Sequence, residues 1–231
     1  MEEHKQIPAF IRSETTQILE RLRAAGAEGP LDYVGAGMFG VVFCDQEGHA
    51  WKAARVGMEP SSGHHLFMYE MFDAEYEWLK TAEQSEVADY IARVHRFHGD
   101  EIVLERECVF GHPGGWGDET HLFELHKKIE REMIPLGWTA PEFKGDSYII
   151  QDDGSPKLVD ISLVQRVGIN LVRWVEDVLD GRRATSDRWS DLAFYMLRET
   201  REGTIPSDVS RNVLGRLIER DPEIRVAFMI P

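Results

Sequence analysis

Gly35-Ala-Gly37-Met-Phe-Gly40-Val-Val42, followed shortly by Ala50-Trp51-Lys52, is the stretch that decides the fold. It reads G-x-G-x-x-G-x-V and then A-x-K. Leu31 and Tyr33 before the glycines, and Val41 and Phe43 after them, alternate as strand residues do. The pattern predicts a strand, a glycine-rich turn and a returning strand. Glycines let the backbone come close to a charged ligand and present amides to phosphates. A dinucleotide-type turn would need a helix opening at the last glycine. Val41-Val-Phe-Cys44 is a poor helix start and a good strand. A lysine on the next strand is well placed for the phosphates of a nucleoside triphosphate.

The 231 residues suffice for one domain with a sizeable core or for two small lobes. The formal charge of −15 argues against nonspecific binding to nucleic acid or to an anionic membrane, and is what solubility alone would also require. No run approaches the length of a spanning helix, and Met1-Glu-Glu-His-Lys5 has no apolar signal segment. Cys44 and Cys108 lack C-x-x-C spacing. They are expected to form neither a disulfide framework nor a zinc site, which makes a reducing cytoplasm the expected compartment.

Outward from the glycines, Ser13 to Ala25 reads as an amphipathic helix, and residues 31–55 read as three strands with a turn at Asp45-Gln-Glu-Gly48. His65 to Ala82 is the next helix, followed by strands at Ile91–Phe97 and Glu101–Arg106. Gly111-His-Pro113-Gly-Gly115-Trp-Gly117 is the strongest breaker, so a boundary is placed there: a strand-rich lobe over 1–110 and a helical lobe over 111–231, together one domain. Within the second part, a helix is expected at Asp118–Met133 and a small hairpin at Tyr148–Ile150 and Lys157–Val159. Three helices follow, near Gly168–Leu179, Asp187–Glu199 and Ser207–Arg220. The class is α+β in two lobes, with a cleft expected between them.

Three charged residues stand out. Lys52 lies at the inner end of its strand, where a buried ammonium needs a carboxylate. Glu75 is the first candidate partner, because it sits among the apolar residues of its helix; Glu70 is the second. Asp160 follows Lys157-Leu-Val159, at a strand end where a carboxylate can meet Mg²⁺. Taken singly, Lys52 reads as a surface lysine, Glu75 as a solvated helix residue and Asp160 as a turn residue. Their order along the chain makes them a set.

That set resembles the protein kinase family. Gly35, Gly37, Gly40 and Val42 match its glycine-rich loop, and Lys52 matches its strand lysine. Phe72-Asp-Ala-Glu75-Tyr-Glu-Trp-Leu79 is similar to the helix carrying the lysine's partner. Ile102-Val-Leu104-Glu105 resembles the strand entering the hinge, with Leu104 as the implied gatekeeper. Asp160-Ile161-Ser162 stands where the family has D-F-G. Ser186-Asp187-Arg-Trp189-Ser190 resembles D-x-W-S-x-G, and Leu217-Ile-Glu-Arg-Asp221-Pro222-Glu-Ile-Arg225 resembles L-L-x-x-D-P-x-x-R. The resemblance runs from about Leu31 to Arg225. It implies Mg-ATP as cofactor, with the nucleotide against Gly35, Gly37, Gly40, Val42, Ala50, Lys52, Glu75, Leu104 and Glu105.

The departures fall in the catalytic loop. Counting back from Asp160 places Ala140-Pro141-Glu142-Phe-Lys144-Gly-Asp146-Ser147 over H-R-D-L-K-x-x-N. Glu142 becomes the implied base, with a plain surface acid as its alternative. Lys144 is the implied loop lysine, and Ser147 or Asp146 would assist Asp160 at the metal. Pro141 replaces the arginine that reads an activating phosphate, and no A-P-E follows Asp160. Glu in place of Asp moves a carboxylate by about one bond, and a misplacement of about 1 Å costs about 10²-fold in rate. The expected function is a Ser/Thr-directed protein kinase acting on a protein substrate. The alternatives are a pseudokinase that binds nucleotide and a regulatory partner, and a small-molecule kinase. Neither nucleic acid nor membrane is an expected partner.

Overall fold

The computed structural model describes residues 7–55, 62–115, 117–140, 143–161 and 164–228. It is a mixed α+β protein. A short helix, α1 (Ala9–Arg12), precedes α2 (Thr15–Ala24), which is the helix expected at Ser13–Ala25. Strands β1 (Leu31–Ala36), β2 (Gly40–Asp45) and β3 (His49–Ala54) follow, with the β2–β3 turn fixed by Asp45, whose Oδ1 accepts the amides of Glu47 and His49. Helix α3 (Ser62–Ala82) leads to β4 (Val94–His98) and β5 (Val103–Glu107). These five strands form one antiparallel sheet in the order β1-β2-β3-β5-β4.

The chain continues through β6 (His112–Pro113), α4 (Glu119–Met133), β7 (Trp138–Thr139), β8 (Tyr148–Ile150), β9 (Pro156–Leu158) and β10 (Gln165–Arg166). It closes with α5 (Gly168–Leu179), α6 (Trp189–Glu202), α7 (Ser207–Arg220) and α8 (Glu223–Ala227).

Compactness divides the chain elsewhere than at residue 110. One unit comprises Met1–Glu132 with Ala140–Val164, and the other Met133–Thr139 with Gln165–Pro231. The glycine-rich stretch after residue 110 explains the difference. His112 and Pro113 pair with Ile150 and Ile149, and the amide of Gly114 donates to the Tyr148 carbonyl. Gly111 has φ +153°, and a Cβ there would collide with the Ile150 carbonyl. Its glycines therefore press the chain onto the β8–β9 hairpin, and that hairpin stays with the first unit.

Side chains alternate across a strand, so antiparallel partners in register share a face. Val41, Phe43, Trp51, Ala53 and Val103 pack with Ile11, Ile18 and Leu22 in an apolar cluster beneath α1 and α2. The alternate residues, Val42, Cys44, Ala50, Lys52, Leu104 and Arg106, occupy the other face, where α3 packs. In the second unit, Leu171, Val175, Leu192, Met196, Val213 and Leu217 tie α5, α6 and α7 together.

The two cysteines depart from expectation. Cys44 and Cys108 form a disulfide across 64 residues, with Cα atoms 6.2 Å apart. Register explains what spacing hid. Cys44 stands opposite Ala50, Ala50 stands opposite Arg106, and Cys108 follows β5 with its amide bonded to the Gly48 carbonyl. The pairing removes the reason for assigning a reducing compartment. Among the described residues, no helix is long and apolar enough to cross a membrane.

Candidate functional site

Lys52 is the centre of the site. Strand β3 directs it onto the α3 face, where its Nζ donates to Glu75 Oε2 at 2.7 Å, Glu75 Oε1 at 3.0 Å and Asp160 Oδ1 at 2.7 Å. The Lys52 and Glu75 side chains are 10% and 4% exposed, whereas Asp160 is 48% exposed. Nζ also lies 5.5 Å from the centre of the Phe72 ring. The structure thus joins three residues far apart in sequence. It also selects Glu75 over Glu70 as the lysine's partner.

Burial alone would drive a proton off Lys52, but the charges of Asp160 and Glu75 outweigh it and hold the pKa above the usual lysine value. For Asp160, burial pushes the pKa up. The positive charge and hydrogen bond of Lys52 push it down further, helped by Arg106 and Lys144, and the carboxyl ends below its usual value. Both groups are therefore charged at neutral pH.

Arg106 is the residue that sequence reasoning missed. Its Nη1 donates to Glu75 Oε1 at 3.3 Å, and its side chain is only 4% exposed. Glu75 is thus shared by two cations. The signal was available in the alternation of β5: two residues beyond inward-facing Leu104, position 106 had to face inward again. Leu104, fully buried, stands opposite Lys52, but Arg106 supplies the side chain that reaches α3.

The glycine turn leans on the same lysine. A Cβ at Gly40 would come within 3.1 Å of Lys52 Cε, so glycine there lets the lysine pass. At Gly35 and Gly37 a Cβ would meet nothing within 4 Å. Their identity is thus not required by packing. The amide of Gly37 donates to the Gly40 carbonyl and closes the turn. Half-buried Val42 and buried Ala50 lie on the lysine's face.

Glu105 does not join them. Its side chain is on the opposite face beside Trp51, with its carboxylate 3.3 Å from His98 Nε2. Its place between inward-facing Leu104 and Arg106 turns it away.

The segment from β7 to just beyond β9 carries the remaining candidates and Asp160. Ser147 is buried, and its carbonyl accepts the amides of Val159 at 2.8 Å and Asp160 at 3.3 Å. Ser147 therefore holds Asp160 through its backbone. Lys144 is exposed, and its charge contributes to lowering the Asp160 pKa. Asp146 is exposed on the turn Gly145–Ser147. Glu142, Pro141, Ser162 and Trp116 lie outside the described residues.

Buried His126 supports this segment. Its Nε2 lies 2.9 Å from the Ala140 carbonyl and its Nδ1 3.1 Å from the Tyr148 hydroxyl. A carbonyl only accepts, so Nε2 carries the proton and Nδ1 accepts from Tyr148. Burial raises the Tyr148 pKa, which keeps that hydroxyl a donor. Phe143 packs against His126, Tyr148 and Phe123.

The two later motifs meet in the second unit. A cavity of about 730 Å³ is lined by Asp187, Trp189 and Ser190 from one and by Asp221, Glu223 and Ile224 from the other. None of the residues around Lys52 belongs to it. Among the described residues there is no group of three or more His, Cys, Asp or Glu able to hold a metal ion by itself. Comparison with protein-family models finds no match to this chain, and comparison with curated proteins finds no matching relative.

Proposed function

We propose that this protein is a compact, divergent phosphotransferase of two-lobed protein-kinase-like fold, which binds a Mg²⁺–nucleoside triphosphate, ATP by family resemblance, and phosphorylates Ser or Thr of a protein. The observation that carries the reading is the shared ammonium. Lys52 Nζ lies 2.7 Å from a carboxylate on α3 and 2.7 Å from a carboxylate after β9, beside a glycine turn. Burying such charges is costly, and they persist where a site needs them.

The residues fit Mg²⁺ held jointly with phosphates. Asp160 is charged, nearly half exposed, and has a second oxygen beyond the one bonded to Lys52. Mg²⁺ commonly takes one or two carboxylates and completes its shell with phosphate oxygens and water. When bound, the ion supplies charge neutralisation for the transferred phosphoryl group. Lys52 would turn from Asp160 to the α- and β-phosphates, while Glu75 and Arg106 keep the lysine's base in place. Gly35, Gly37 and Gly40 would leave room for phosphates beneath the turn. Lys144 would neutralise the γ-phosphate, and Glu142 would orient the acceptor hydroxyl. Ser147 would act through its hold on Asp160, and Asp146 would be a further oxygen near the metal.

A second reading is a pseudokinase that binds nucleotide and acts through a protein partner. The Glu142 and Ser147 substitutions favour it. A small-molecule kinase is the third reading, and the paired Asp187 and Arg225 segments weigh against it. Mg-ATP binding and transfer of the γ-phosphate should be measured side by side on wild type, Lys52→Ala and Asp160→Ala. The kinase reading expects binding and transfer in wild type and loss of transfer in both variants. A Lys52→Ala protein as fast as wild type would remove it. Binding without transfer to any protein would select the pseudokinase, and transfer only to a sugar or aminoglycoside the third reading.

A further inference from the structure

We infer that Arg106 reads the nucleobase and makes the site prefer guanine to adenine nucleotides. The inference rests on the nucleoside-triphosphate reading and changes only its base. Two rungs of the sheet carry it. Val42, Lys52 and Leu104 stand in register on the α3 face; one rung further from the glycine turn stand Cys44, Ala50 and Arg106. The rungs are two residues apart, about 7 Å along the strands. With phosphates at Lys52 and under the turn, the ribose spans that interval and the base meets the second rung.

The second rung has one charged side chain. Ala50 is small and buried, and Cys44 is tied to Cys108. Arg106 has five N–H donors and no acceptor. Among the described residues, Glu75 Oε1 takes one of them, at 3.3 Å. None of its nitrogens is a fully sealed, partnerless atom, so the donors that Glu75 does not take remain open to a ligand. Guanine offers adjacent acceptors, O6 and N7, which a guanidinium engages in pairs; adenine places a donor, its N6 amino group, beside N7. Donor against donor leaves both unpaired, and a buried site discriminates strongly against unpaired polar groups.

Competition against a fluorescent nucleotide in the presence of Mg²⁺ measures the affinities of GTP, ITP and ATP for the full chain. ITP keeps O6 and N7 but lacks the 2-amino group. Wild type is expected to bind GTP and ITP at least about tenfold more tightly than ATP. Arg106→Met should bring the three affinities together, and Arg106→Lys, with one point charge in place of the fork, should fall between. ATP binding as tightly as GTP overturns the inference and leaves the nucleotide reading intact. ITP binding as weakly as ATP, or a GTP preference unchanged in both variants, overturns the role of Arg106. If none of the three binds, the nucleotide reading falls as well. Should the variants fail to fold, the three wild-type affinities decide.

Discussion

One sheet presents two unlike faces. Beneath α1 and α2, Val41, Phe43, Trp51, Ala53 and Val103 bury apolar surface against Ile11, Ile18 and Leu22. On the α3 side, the alternate residues of the same strands bring Lys52 and Arg106 to Glu75. The first face is what folding needs: apolar burial contributes about 25 cal/mol per Å². The second costs desolvation of three charges, which their mutual attraction only partly offsets. The same backbone supports both, so the difference lies in what each face is kept for. The apolar face stabilises the sheet, and the charged face is the one on which the proposed nucleotide site is built.

The sharpest way to break this contrast is to remove Glu75. Glu75→Ala leaves two buried cations with no carboxylate between them except half-exposed Asp160. It is expected to cost about 3–5 kcal/mol. For a chain of 231 residues that lowers Tm by about 10 °C, measurable by calorimetry. Replacing the whole group, Lys52→Met with Glu75→Leu and Arg106→Met, should instead leave stability equal or raise it by about 1–4 kcal/mol. Mg-nucleotide should no longer shift Tm. A triple variant as unstable as Glu75→Ala would show that the charges are structural, and the contrast between the faces would fail.

Reduction of Cys44–Cys108 comes next. It closes a loop of 64 residues at the far end of the charged face. Loop-closure entropy gives about 4 kcal/mol. Urea unfolding with and without reductant should show that loss as a lower midpoint; coincident curves would mean that the sheet alone fixes that end.

The smallest effect expected concerns Asp160. Its folded pKa lies below the ordinary value of 3.8, so its contribution is complete above that pH and disappears as pH falls through the lowered value. With nearly half the side chain exposed, solvent screening holds the contribution to about 1 kcal/mol or less. The stability difference between wild type and Asp160→Asn should stay level from pH 7 to about 5 and vanish in stronger acid. A difference that grows on acidification would contradict the ion pair.

Much of this was legible beforehand. The three strands of residues 31–55 and helices α3 to α7 follow from periodicity and punctuation, because local propensity and the eventual core agree along them. The tract after residue 110 became a strand on a hairpin, where packing against distant chain set the outcome, and α1 stands ahead of the helix expected at Ser13–Ala25. Lys52, Glu75 and Asp160 were legible as separate candidates. Arg106 stood at the end of the expected strand Glu101–Arg106, but the face it presents was not read. Glu105 was misplaced because the parity of a strand position follows from its register.

The amino-acid order alone determined the α+β alternation, the glycine turn and which ionisable residues sit at the ends of strands, since those depend on interactions among near neighbours. Only the folded chain decided that Cys44 bonds Cys108, that Arg106 shares Glu75 with Lys52, and that Asp160 reaches the same ammonium from 108 residues away. Such partnerships are set by strand register and by the closure of long loops, and no short stretch of sequence contains that information.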